Sequence, residues 1–185
     1  MQGWIASLGE RVSSVLEAGH PIGVLVDELG ASVHWSGCPA AGQLWSPGDG
    51  YRRMAAGGCE GRWWAALIAW PPGHATPIHD HDGLWGVEVV LDGVIEVEAF
   101  SLDGEVPVPD PGASRVLGRG DAGMFEGAGY AHRCRNLSNR QPALSLHVYG
   151  GELGCYRGFE RDERGRWTSV ECRVGCSRVG GGTNG

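Results

Sequence analysis

Apolar residues in the first part of the chain recur at helical spacing. Trp4, Ile5, Leu8, Val12, Val15 and Leu16 fall three or four positions apart, which predicts an amphipathic helix over 3–18. Pro21 to Leu29 predicts a second, shorter helix, with Gly30 as its stop. The run SGCPAAGQLWSPGDG over 36–50 is rich in turn formers and reads as a loop. Beyond Tyr51 the period changes. Short apolar stretches alternate with Gly, Pro and Asp, the pattern of strands joined by tight turns. Arg62 to Trp70 reads as a strand closed by Pro71-Pro72-Gly73, and Leu84 to Phe100 as two strands split at Asp92-Gly93. In the second of these, Ile95, Val97 and Ala99 alternate with Glu96 and Glu98, as in a half-buried strand. Asp103-Gly104 is a turn, and Gly118 to Phe125 and Ala143 to Tyr149 are further strands. Tyr156 to Glu160 and Trp167 to Glu171 flank RDERGR as a hairpin, and the final GGGTNG reads as disordered.

These elements predict a mainly β protein: a small antiparallel barrel or sandwich with a short helical N-terminal segment. A length of 185 residues fits one domain. The expected division is a helical segment over 1–35 packed on a barrel over 45–171, then a flexible tail over 172–185.

Composition narrows the function. Hydrophobic residues make up 42% and charged residues 20%, so the chain can bury a core. The net charge of −7 disfavours nucleic acid and anionic membranes as partners. No apolar run approaches a membrane span, and Glu10 and Arg11 interrupt any signal-peptide core, so a cytoplasmic location is expected. All 15 basic residues are Arg. Cys38, Cys59, Cys134, Cys155, Cys172 and Cys176 show no CxxC pairing; free thiols are the expectation, with a bridge or metal at Cys172 and Cys176 as the alternative.

The histidines carry the chemistry. In Thr76-Pro-Ile-His79-Asp-His81 two imidazoles one residue apart point to the same face of a strand, where both can reach one metal. His74 sits in the preceding turn and is read as a non-ligand. A second segment, Gly120-Asp121 … Gly127 … His132-Arg-Cys-Arg-Asn136, supplies a third imidazole from another strand.

GHATPIHDH followed by Gly93 resembles the first motif of the cupin superfamily, and Gly120-Asp121 … His132 … Asn136 resembles the second. The resemblance implies a metal-binding double-stranded β-helix barrel. Many cupins add a Glu ligand a few residues after the second His; here that position is about Trp85-Gly86, and Glu88 lies further along as a substitute to be weighed. A site with three His and no carboxylate is similar to the thiol dioxygenase branch, the cysteine and mercapto-acid dioxygenases. Two further segments fit that branch. Ser145, His147 and Tyr149 alternate along one strand, resembling the family's Ser-His-Tyr relay. Tyr51-Arg52-Arg53 resembles the Tyr-x-Arg of cysteine-specific members, while members preferring mercaptopropionate have Gln in place of the Arg. The family's animal members link a Cys to the relay tyrosine; the matching position is about Gly86, so Tyr149 is expected to be uncrosslinked.

The resemblance implies His79, His81 and His132 as metal ligands. It implies Arg53, Tyr51 and Tyr149 as substrate-binding residues, and Tyr149, His147 and Ser145 as catalytic ones. Fe(II) is the implied metal, although an imidazole-only site also accepts Ni and other divalent first-row ions. The implied reaction oxidises the thiol of L-cysteine, or a close small thiol, with O2 to the sulfinate. A 3-mercapto acid dioxygenase, or a specialised-metabolism enzyme carrying cysteine on to a sulfonate or sulfonamide, are alternatives within the class. A non-catalytic metal-binding sensor is the alternative outside it, but it has no use for the Ser-His-Tyr relay. The expected partners are a small thiol and O2, in a monomer or homodimer. Trp70 and Trp85 are expected to serve core packing first and water exclusion second.

Overall fold

The computed structural model describes residues 1–175 and the backbone of Ser177–Arg178. The expectations of disorder in the final GGGTNG, of a flexible tail beyond 175 and of a Cys172–Cys176 bridge fall on residues outside those described. Two helices, α1 (Gln2–Glu17) and α2 (Ile22–Ala31), lead through a 3-10 turn (Ser32–His34) and the four-residue α3 (Ala41–Leu44) into the strands. These are β1 (Arg52–Cys59), β2 (Trp63–Trp70), β3 (Ile78–His79), β4 (Gly86–Asp92), β5 (Ile95–Asp103), β6 (Val106–Pro109) and β7 (Arg115–Leu117). They continue with β8 (Ala122–Phe125), β9 (Tyr130–Asn136), β10 (Ala143–Tyr149), β11 (Cys155–Arg161), β12 (Trp167–Arg173) and β13 (Ser177–Arg178).

One sheet runs β13-β1-β2-β10-β4-β8; the other runs β12-β11-β3-β9-β5-β6, with β7 also on β5. Among the described residues every pairing between strands is antiparallel apart from the β1–β13 contact. The two curled sheets form a mainly β cupin barrel.

The first sheet is covered on both faces, which explains why β2, β4 and β10 are apolar almost throughout. Trp63, Ala65, Leu67 and Ala69 of β2, Val87, Val89 and Leu91 of β4, and Leu144, Leu146 and Val148 of β10 face Trp4, Leu8, Val12, Leu25 and Leu29 of the helices. The alternate residues, among them Ala66, Ile68, Trp70, Val90 and Ala143, face into the barrel against Ile95, Val97, Leu117 and Cys134. Residues of inward parity along most of β4 and β10 are therefore shielded from bulk water. Glu88, Ser145, His147 and Tyr149 are all of that parity, and each is 5% exposed or less.

Several expectations are corrected. Residues 118–121 form a turn and not strand, in which Asp121 accepts the Gly118 N–H at 2.8 Å; the strand that pairs with β4 covers 122–125. Residues 52–59, unassigned from sequence, form β1, which carries Arg53. The 36–50 loop contains α3, whose Ala41 N–H is fixed by the Asp92 carboxylate at 2.8 Å. The segments over 106–109 and 115–117, unassigned from sequence, form an edge to β5. Among the described residues no helix is long and apolar enough to cross a membrane, and Cys38, Cys59, Cys134, Cys155 and Cys172 are free thiols.

Candidate metal centre and adjoining cavity

Strand β3 is only two residues long, wedged between β11 and β9. In that register His79 lies directly opposite His132 and also opposite Gly158. His81 is not on the strand but in the turn that follows, where Asp82 adopts a left-handed backbone (φ 53°) and the Leu84 N–H returns to the His81 carbonyl at 3.0 Å. The intervening Asp80 is turned the other way. Its carboxylate accepts the Arg157 main-chain N–H at 2.8 Å and Arg157 Nε at 2.7 Å, while its own N–H donates to the Arg157 carbonyl at 3.0 Å. That anchor stands in for the missing strand and keeps both imidazoles on the inner side.

The three rings converge. Centroid separations are 4.7 Å for His79–His132, 4.7 Å for His81–His132 and 5.2 Å for His79–His81. One ligand nitrogen from each lies within 4.8 Å of the others. His81 and His132 are buried and His79 is half-buried. Burial lowers all three below the ordinary imidazole value, His79 to about 4 and the other two well below it, with repulsion among the histidines adding to the effect for His81 and His132. The rings are therefore neutral at pH 7 and have lone pairs to give. His79 Nδ1 donates to the Pro77 carbonyl at 3.0 Å, which leaves Nε2 bare, and His132 Nδ1 lies 3.3 Å from the Tyr130 hydroxyl. Three neutral, partly pre-oriented imidazoles on one side of a cavity are a donor set that fits a divalent first-row cation.

Phe125 is part of this site and was not anticipated from the sequence. It stacks on His81 (4.2 Å, 19°) and on Tyr130 (5.6 Å, 3°). Its place explains Gly86, the residue opposite Tyr149 in the β4–β10 pairing: a Cβ there would sit 2.2 Å from the Phe125 ring. A glycine at the head of a strand was the available signal of close approach. Gly86 also leaves Tyr149 without a side chain to couple to at that position.

Arg53 and Tyr149 meet beside the histidines. Arg53 Nη2 donates to the Tyr149 hydroxyl at 3.2 Å, and the guanidinium lies over the Tyr149 and Trp64 rings at 5.7 and 5.9 Å. The Tyr149 ring is 5.6 Å from that of His81. Burial pushes the Tyr149 phenol up to about 12, Arg53 opposing, so the phenol stays protonated. Tyr51 stacks on His74 at 4.8 Å and meets Trp70 edge-on at 5.2 Å. Arg53, Tyr51, His74, His79 and Tyr156 line a cavity of about 340 Å³, and Arg173 of β12 stands at the same cavity. His74 is thus a wall of the cavity, outside the three-histidine cluster.

The Ser-His-Tyr alignment is met only in part. Ser145 Oγ lies 3.0 Å from His147 Nε2 and accepts from Trp70 Nε1 at 2.8 Å. The Tyr149 hydroxyl accepts from Arg53, and among the described residues His147 Nδ1 has no hydrogen-bond partner. The reason is ring orientation: His147 and Tyr149 share a face, but their rings stack 6.1 Å apart at 24°, which does not aim a ring nitrogen at the phenol. Glu88 is opposite His147 in register, with Oε2 3.9 Å from Nδ1. It forms a second group of possible ligands with His132 and Cys134. Trp70 is buried, as expected for packing, and also donates a hydrogen bond; Trp85 packs at the edge of the helix-facing core.

A family model described as cysteine dioxygenase type I matches residues 47–162. Cysteine dioxygenase type 1 from Bos taurus is 26% identical over 155 residues, covering 82% of this chain and 76% of that protein. Cysteine dioxygenase type 1 from Homo sapiens is 25% identical over 112 residues, covering 60% of this chain and 56% of its own length, so the match spans just over half of that relative. Among solved structures, TT1209 from Thermus thermophilus is 28% identical, covering 60% of this chain and 92% of that one, with a TM-score of 0.44.

Proposed function

The chain belongs to the cysteine dioxygenase type I family, and from that premise we propose that it oxidises the thiol of L-cysteine with O2 to the sulfinate, RSH + O2 giving RSO2H. The observation that carries the reading is a juxtaposition. Three neutral imidazoles converge within 4.8 Å, and a guanidinium and a protonated phenol, joined at 3.2 Å, adjoin them. His79, His81 and His132 are the ligands in this reading, and Fe(II) is the metal. When bound, it supplies the redox centre that brings thiol and O2 together and favours the thiolate over the thiol.

The remaining work belongs to the chain. Arg53 receives the substrate carboxylate as a two-pronged fork. Its orientation is set by the Tyr149 hydroxyl and by the flat rings of Trp64 and Tyr149 beneath it. Tyr149 has one phenolic proton to donate to a bound anionic group, and Tyr51 closes the cavity behind Arg53. Phe125 and Tyr130 cover the histidines with apolar surface and limit access of water. Ser145 holds the His147 ring in the wall next to Tyr149. With charge held at one end of the substrate and sulfur delivered at the other, orientation is the main source of acceleration.

The test is O2 uptake by the Fe(II)-reconstituted protein, prepared anaerobically, on addition of L-cysteine or 3-mercaptopropionate. Uptake with L-cysteine and recovery of its sulfinate support the reading. Uptake with 3-mercaptopropionate alone reassigns the substrate, and no uptake with any thiol leaves a binding module. Arg53→Gln is expected to reduce turnover of L-cysteine far more than that of cysteamine, which lacks the carboxylate; equal losses show that Arg53 is not the carboxylate clamp.

A further inference from the structure

Glu88 is a buried side chain that the reading above leaves without a task. It is 5% exposed on the inner face of β4, directly opposite His147 in the β4–β10 pairing. Its carboxylate lies 3.9 Å from His147 Nδ1 and 4.0 Å from Cys134 Sγ, beside His132. Across from it, His147 Nδ1 is fully enclosed and without a hydrogen-bond partner among the described residues. Leaving a buried polar atom of this kind unmet is unfavourable unless something completes it.

The direction of the bonds can be worked out from donor chemistry. An indole N–H only donates. Trp70 Nε1, 2.8 Å from Ser145 Oγ, therefore makes that oxygen an acceptor. The hydroxyl's own proton has one acceptor among the described residues, His147 Nε2 at 3.0 Å. Burial holds His147 neutral, its value lowered to about 3, so the ring carries a single proton. With Nε2 accepting, that proton is on Nδ1, and Nδ1–H faces Glu88.

We propose that Glu88 is a positioning residue that accepts the Nδ1–H of His147 and so terminates a donor chain running Trp70 to Ser145 to His147 to Glu88. The gap of 3.9 Å is closed by a small rotation of the carboxylate or by one bridging water. The chain ends beside the ligand His132, whereas the Tyr149 hydroxyl belongs to a separate pair with Arg53. Two polar networks thus share the barrel interior: Arg53–Tyr149 for the substrate's charge, and His147–Glu88 for the wall next to the metal site. The expected effect on turnover, though not the bonding itself, rests on the dioxygenase reading.

The experiment is long-range 15N–1H NMR of the histidine rings in the full chain, with zinc as a diamagnetic occupant of the three-histidine site. His147 is expected as the Nδ1–H form. Trp70→Phe frees the serine hydroxyl and gives a mixture of ring forms; Tyr149→Phe leaves His147 unchanged. Glu88→Leu moves the Nδ1–H resonance and speeds its exchange, and Glu88→Gln, which keeps a carbonyl acceptor, restores it. In turnover of L-cysteine, Glu88→Leu lowers kcat about tenfold with KM and metal content unchanged, and Glu88→Gln recovers most of it. An Nε2–H ring in the parent overturns the proposal. So does a His147 signal that follows Tyr149→Phe but not Glu88→Leu, or loss of metal in Glu88→Leu, which makes the carboxylate a ligand. If no thiol is turned over at all, the dioxygenase reading fails, while the ring forms and metal content still decide the bonding.

Discussion

Asp80→Ala removes the anchor that holds two candidate ligands in place without touching either. Asp80 is 2% exposed, and its carboxylate accepts a main-chain and a side-chain N–H from Arg157 and, at 3.4 Å, the Asp82 N–H. Stripped of its acceptor, the partly buried Arg157 main-chain N–H loses about 1–3 kcal/mol. The Arg157 guanidinium is 42% exposed and is re-solvated, so its ion pair adds only about 0.5–1 kcal/mol. The expected loss of stability is about 1.5–4 kcal/mol. The functional effect is more specific. Because β3 is two residues long, nothing else in the strand ladder holds His81 inward, and metal affinity is expected to fall about 10–100-fold. Urea denaturation of the metal-free protein measures the first quantity, and competition with a chromophoric chelator the second. Arg157→Ala, which spares the main-chain bond, serves as the control and is expected to cost under about 1 kcal/mol and only a few-fold in affinity. Parental metal affinity in Asp80→Ala would refute the argument, because the histidines would then be held by something other than this carboxylate.

Tyr149→Phe removes the hydroxyl bonded to Arg53 and is expected to slow turnover while metal content by atomic spectroscopy stays at the parental level; lost metal would make the tyrosine structural. Gly86→Ala places a methyl 2.2 Å from the Phe125 ring, so the ring must leave its stack on His81. The expected results are destabilisation of about 1–3 kcal/mol and weakened metal binding, read by thermal melts and chelator competition; a parental Tm and affinity would show that the ring has room to move. Burial raises the Glu88 carboxyl from an ordinary 4.5 to about 7. Between those values the folded, metal-free protein keeps a proton that the unfolded chain has released, so stability from this group is full below pH 4.5 and is lost as pH rises through 7. Denaturation across that range should show a steeper decline in the parent than in Glu88→Gln, and parallel curves would place the raised value elsewhere.

Local pattern determined much of this protein. Helical spacing of Trp4, Leu8 and Val12 and the turn at Asp92-Gly93 located α1 and the β4–β5 hairpin within one to three residues, because each depends on contacts between near neighbours in the chain. The residue types and spacing of His79, His81 and His132 marked them as a candidate metal set, and Ser145, His147 and Tyr149 as one face of a strand. What the tertiary structure decided is how those faces meet. Pairing His79 with His132 requires β3 to be wedged between strands more than fifty residues away, a register that no local period encodes. Phe125 and Gly86, Asp80 and Arg157, Arg53 and Tyr149 are likewise contacts across 39 to 96 positions. The same is true of the direction of the donor chain. Alternation places His147 and Tyr149 on one side, but which atom each ring nitrogen meets depends on Trp70 and Glu88, contributed by the neighbouring strands β2 and β4. A strand's periodicity states which way a side chain points, and only the packed barrel supplies the partner it finds there.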